Sequence, residues 1–193
     1  MIKQFLIDGG PWMLPVLALS VVGLMFILER AWFWIVLWFR RDAALRRRIL
    51  QGDAPHATCR TSDPRAVVLL DLARNPEEPD EAMDRARALV RRSKQHLRTL
   101  AVTSSLGSSL GLFGTIVGMS SSFGGVRLSN PEVIISGLQT ALNTTIFGLI
   151  VYLGCYVAHS FFSQLSANLG HDLEEDLNEA RRALLARREA LAA

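Results

Sequence analysis

The sequence predicts an all-α integral membrane protein with three transmembrane helices and long helical extensions outside the bilayer, and two observations carry that reading. Residues 11–28, 99–126 and 133–158 contain no charged side chain, and a helix needs about 20 consecutive apolar residues to cross a hydrocarbon core. The basic residues are also unevenly placed. Lys3 stands alone before the first block and Arg127 alone between the second and third, whereas Arg40, Arg41, Arg46, Arg47 and Arg48 are followed by nine more basic residues before position 99. Under the positive-inside rule the segment between the first two spans is cytoplasmic, and so is the carboxyl terminus with Arg181, Arg182, Arg187 and Arg188. A soluble domain of 193 residues would have to bury three long uncharged helices at once.

The elements follow in order. Residues 1–10 form an external amino terminus and 11–39 the first transmembrane helix. Its end carries Glu29, Arg30, Trp32, Phe33, Trp34 and Trp38. That aromatic cluster suits an interfacial belt, and the weak basic region before the apolar block argues against a cleaved signal peptide. Glu29 beside Arg30 reads as an interfacial ion pair. Residues 40–98 form a cytoplasmic helical segment, broken by turn-forming residues over 52–64 and again at Asn75 and Pro76. A helix restarting near Pro79, with Asp80, Glu81 and Asp84 at the positive end of its dipole, meets no obstacle before Phe123 and is expected to run on unbroken. The second span covers 99–124. A short external loop, 125–131, opens at the Gly124-Gly125 pair, and Ser129 to Glu132 offers a helix start. The third span covers 132–160, and 161–193 continues as a cytoplasmic helix whose Leu165, Leu169, Leu173 and Leu177 pack on the extension of the second.

Within the spans, Gly107, Gly111, Gly114 and Gly118 recur at spacings of four, three and four, a stripe along which another helix can approach closely. Ser104, Ser108, Thr115 and Ser122 run beside it as a polar stripe. The third span holds Gln139, Thr140, Asn143, Thr144 and Thr145 within seven residues, followed by Gly148. Threonine hydroxyls can bond to their own helix carbonyls, but the amides of Gln139 and Asn143 cannot be satisfied that way and need protein or water beside them. No Asp, Glu, Lys, Arg or His lies in 99–126 or 133–158, so a proton-carrying carboxylate would have to come from another chain. His159, just past the third span, reads as a headgroup-level residue.

The segment Gly111-Leu-Phe-Gly-Thr-Ile-Val-Gly-Met119 resembles the G-L-L-G-T-V-x-G-M signature of the ExbB/TolQ/MotA proton-channel family. Gly137-Leu-Gln-Thr-Ala-Leu-Asn-Thr-Thr-Ile-Phe-Gly-Leu149 is similar to its G-I-x-x-A-L-x-x-T-x-x-G-L signature, and Ile27-Leu28-Glu29-Arg30 also looks like that family. Three spans and a short cytoplasmic segment are closer to ExbB and TolQ than to the four-span MotA. The resemblance implies a homopentamer in the bacterial inner membrane around a dimer of a single-span, ExbD/TolR-like partner whose transmembrane Asp carries the proton, driven by the proton motive force. It implies that Thr115 and Thr145 line the pore. Thr140 stands where ExbB and TolQ carry glutamate, and Ser108 where the family usually has proline. The expected pathway residues are Thr115, Thr140, Thr144 and Thr145, with Gly107, Gly111, Gly114, Gly118 and Gly148 for packing and Ser108, Gln139 and Asn143 as further polar contacts.

Other classes find less support. The spans contain no nucleophile paired with a base and no ligand cluster, so neither an enzyme nor a metal or other cofactor is expected. Cys59 and Cys155 have no metal spacing and form no disulfide framework. Arginines at a membrane edge serve lipid headgroups rather than nucleic acid. The alternative function is a non-conducting oligomeric scaffold in which the small-residue stripe serves assembly alone.

Overall fold

The computed structural model describes residues 13–41, 43–51, 63–74, 79–127 and 131–192. Their elements are α1 (Met13–Phe39), α2 (Ala43–Leu50), α3 (Pro64–Arg74), α4 (Asp80–Ser93), α5 (Leu97–Arg127) and α6 (Pro131–Ala192). Residues 1–10, most of the turn-forming run before Pro64, and the Ser129–Asn130 helix start lie outside the described residues. Three stretches are long and apolar enough to cross a membrane. The chain is an all-α, multi-pass membrane protein.

The described residues gather into two compact units, 13–29 with 96–161, and 30–95 with 162–192. The first is the membrane unit. In α1, Pro15 falls in the opening turn, where its missing N–H has no helical acceptor in any case. α5 and α6 run antiparallel, since Gly107 meets Val151 and Gly148 while Gly118 meets Ala141 and Gly137. α1 packs on both at one point: a β-carbon on Gly23 would lie 2.6 Å from the Cys155 sulfur and 3.4 Å from the Thr103 methyl. Most of each span remains uncovered, with Leu24, Met25, Leu112, Ile116, Ile146 and Leu153 among the exposed apolar side chains. Such faces suit lipid or further copies of the chain.

The second unit holds the polar half. Asp63 caps α3 by accepting from the Arg65 backbone N–H at 3.0 Å, and Pro64 takes the first helical position, where its fixed φ suits a helix start. Ile49 of α2, Leu69 and Leu72 of α3, Ala82 of α4 and Leu169 and Leu173 of α6 form its core. Arg46 donates both Nε and Nη2 to the Asp176 carboxylate, at 2.7 and 2.6 Å, and that pairing holds the Arg46 guanidinium above its ordinary pKa. Burial pushes the Arg65 guanidinium below its ordinary value, although Asp172 lies 3.7 Å away. The Ser166 hydroxyl donates to the Ser93 carbonyl at 3.1 Å and ties α6 to the end of α4.

Two helix boundaries differ from the sequence expectation. The helix expected to run unbroken from near Pro79 is interrupted at Lys94–His96, where His96 adopts a left-handed φ of 61°. The ordering contacts are tertiary. The His96 ring stacks on Phe26 at 5.1 Å between centroids, and its Nε2 lies 3.8 Å from a Glu29 oxygen. α5 also continues through Gly124 and Gly125 to Arg127, where a turn was expected. Glycine weakens a helix by about 1 kcal/mol without forbidding it, and in lipid an internally bonded backbone outweighs that amount.

Candidate functional site

The glycine stripe of α5 brings two backbones together. A β-carbon on Gly118 would sit 2.7 Å from both the Ala141 nitrogen and the Gly137 carbonyl oxygen, and one on Gly148 would sit 2.6 Å from the Gly111 α-carbon. Gly107 and Gly114 occupy the same seam, the latter directly against the Thr144 side chain. Packing this close is the mode available in a bilayer, where van der Waals contact and hydrogen bonds must replace the hydrophobic drive.

The seam aligns hydroxyls. Ser104 donates across it to the Tyr152 carbonyl at 3.2 Å, and Ser122 to the Ile134 carbonyl at 3.1 Å. Midway between them the Thr115 and Thr145 hydroxyls bond directly to one another. The Gly111 carbonyl lies 3.1 Å from the Thr115 hydroxyl and the Ala141 carbonyl 3.0 Å from that of Thr145, so one threonine donates to the other and the second donates to its own helix. The partner hydroxyl and a helix carbonyl together hold the pair in place, and both side chains remain half-exposed along one flank of the seam.

That flank faces away from α1. At about 100° per residue, Thr103 and Thr115 lie about 120° apart around α5, and Thr103 is the residue that meets α1 at Gly23. Ser108 is seven residues from Thr115 and shares its flank to within about 20°; its side chain is half-buried.

The other polar residues are distributed differently. Thr144 is fully buried, and its hydroxyl donates to the Thr140 and Ala141 carbonyls at 2.9 and 3.1 Å. Thr140, half-buried, lies about 140° around α6 from Thr145 and therefore on the Thr103 side of the seam. Asn143 is buried at 5% exposure while Gln139 is exposed. The structure thus joins Thr115 with Thr145 and sets Thr140 and Thr144 apart from that pair.

The sequence reading missed most of the complementary half of the seam. Gly137 and Ala141 join the expected Gly148 in answering the α5 glycines from α6, and their small-residue spacing of four and seven was available as a signal. The Gly23–Thr103–Cys155 junction left no such signal, because only tertiary packing brings it together.

Residues 99–126 and 133–158, which hold the seam, contain no titratable carboxylate, amine or imidazole. The seam can offer fixed hydroxyl dipoles and a hydrogen-bonded surface, and any charge must arrive from elsewhere. Comparison with known proteins places this chemistry in context. Residues 57–175 match the MotA/TolQ/ExbB proton channel family. A Synechocystis protein named as the ExbB-like biopolymer transport protein 3 is 26% identical over 176 residues, covering 81% of this chain and 82% of its own length. A second from the same organism, ExbB-like 1, is 30% identical over 171 residues, which span 78% of this chain and 66% of the relative. With more than half of its length matched and the two signature segments packed face to face, the chain belongs to the MotA/TolQ/ExbB proton channel family.

Proposed function

We propose that this chain is the channel subunit of an energy-transducing complex driven by the proton motive force. Five copies surround a single-span partner dimer of ExbD/TolR type, in an inner membrane, with the amino terminus outside and the polar unit in the cytoplasm. The partner supplies an Asp carboxylate within the bilayer. Thr145 lies 13 residues from one end and 15 from the other of a span over 132–160, about 20 and 22 Å of helix, which is mid-membrane. The hydroxyls of the Thr115–Thr145 pair solvate the carboxylate as it gains and loses its proton. Thr144 and Thr140 stand behind the pair, where the buried Thr144 side chain against Gly114 supports packing rather than contact with the pathway.

The observation that carries this reading is the direct Thr115–Thr145 hydroxyl contact on the flank away from α1. A chain devoted only to assembly needs the glycine seam but no hydroxyls held at its open edge. The test is proton flux into liposomes holding the reconstituted complex. Thr145→Val keeps the side-chain volume and removes the hydroxyl, so flux is expected to fall below detection while the partner still co-purifies. Full flux in a Thr115→Val/Thr145→Val double variant would leave the scaffold reading standing instead.

A further inference from the structure

Below the threonine pair, α6 continues to present polar side chains on the same flank. Tyr152, Tyr156 and His159 stand seven, eleven and fourteen residues after Thr145, and at about 100° per residue all three fall within about 40° of its direction. No other stretch of the spans places aromatic hydroxyls and an imidazole on one line. Tyr152 and Tyr156 stack at 5.7 Å between centroids with an interplanar angle of 19°, which sets their rings in register along the helix. Ser108 of α5 lies at the level of Tyr152 and on the Thr115 flank. Long side chains on a helix lean toward its amino end, so Tyr152 reaches back toward Thr145 and shortens the gap above it. The row ends at His159, about 21 Å below Thr145, at the end of the charge-free stretch.

We propose that this row is the route by which the proton leaves, and that His159 is its terminal acceptor. This rests on the functional reading above, in which the polar unit lies in the cytoplasm. A proton released at the Thr115–Thr145 level passes along the Ser108 and tyrosine hydroxyls and their water. It binds a ring nitrogen of His159, and the imidazolium then returns it to cytoplasmic water or buffer, so that the histidine ends each cycle neutral. A neutral imidazole has a lone pair on one ring nitrogen and an N–H on the other, so the ring can take up a proton and give one back.

The other charged groups at this end of the unit are Glu29 of α1, His96 of the interruption before α5, and Arg98 of α5. Glu29 and His96 lie 3.8 Å apart, and His96 is stacked on Phe26. Among the described residues the His159 side chain makes no hydrogen bond or ion pair, and it is half-exposed. Around α6 it points between Thr145 and the seam residue Gly148.

The test uses the complete complex with its partner in liposomes. His159→Ala is expected to lower proton flux by roughly a hundredfold, the lower end of what a positioned proton-transfer group contributes, with assembly unchanged. Imidazole added on the side facing the polar unit should restore much of that flux. His159→Gln, which keeps a polar side chain that cannot titrate, should behave like His159→Ala and guards against an effect of size alone. Unchanged flux in both His159 variants, in a preparation where Thr145→Val is inactive, would overturn this exit route and leave the channel reading intact. A loss that imidazole does not rescue would assign His159 a structural role and equally overturn the route. Should Thr145→Val itself remain active, the channel reading fails first.

Discussion

Gly118 and Gly154 belong to the same membrane unit and differ in what a methyl group would meet. At Gly118 it would press into the Ala141 nitrogen and the Gly137 carbonyl, whereas at Gly154 nothing lies within 4 Å. Gly118→Ala is therefore expected to destabilise the α5–α6 pair by about 1–3 kcal/mol, the usual range for overpacking. Gly154→Ala should leave stability unchanged or raise it slightly through better helix propensity. Thermal unfolding in detergent, read by loss of helical circular dichroism, compares the two, and equal behaviour would remove the seam as the cause. Much of this was legible in the sequence, since four glycines at spacings of four, three and four announce a contact face. The orientation of the threonines was legible only by halves. Helical arithmetic separates Thr140 from Thr145, but which side of the seam α1 covers is decided by Gly23, Thr103 and Cys155, residues far apart in the chain with no shared pattern.

Helix boundaries show the same division. Three charge-free blocks were sufficient to locate three spans. The interruption at Lys94–His96 was not legible, because Lys, Gln and His all propagate a helix and contain no breaker. It is imposed from outside, by Phe26 and Glu29 holding a left-handed His96. A β-branched residue tolerates that conformation poorly, so His96→Val is expected to cost about 1–2 kcal/mol, while His96→Gly should cost less because glycine adopts a positive φ freely. Chemical denaturation of the two variants tests the ordering. In the polar unit, Arg46→Ala leaves the Asp176 carboxylate, only 6% exposed, without its bidentate donor. A loss of about 1.5–3 kcal/mol is expected, as for hydrogen bonds to charged groups, with Arg46→Lys falling between. The sign of the pH effect follows from the raised pKa of Arg46. Its contribution is fully present below the unfolded-state value and is lost only as pH rises through the folded-state value, so stability from this pair is flat across the physiological range. Denaturation midpoints of wild type and Arg46→Ala at neutral and mildly alkaline pH should differ by a constant amount.

For the whole molecule, the two units divide the physical tasks. The polar unit buries a leucine-rich core of its own, as a soluble domain does, whereas the membrane unit leaves long apolar faces on all three of its spans uncovered. Under the proposed function some of those faces meet lipid and others meet neighbouring copies. The mass of the detergent-solubilised protein, measured by light scattering after size exclusion, should then be a multiple of 21.4 kDa, with five copies expected. A single copy persisting across mild detergents would count against the assembly. The seam between α5 and α6 has a mechanical consequence as well. Where α-carbon meets α-carbon there are no long side chains to change rotamer and no layer that can be compressed, so the two helices must shift together as one stiff bar. Under the proposed function, a machine that converts ion flow into force would lose stroke through every compliant joint in its stationary part, and the joint nearest the flow would be one where glycines leave little side chain to yield.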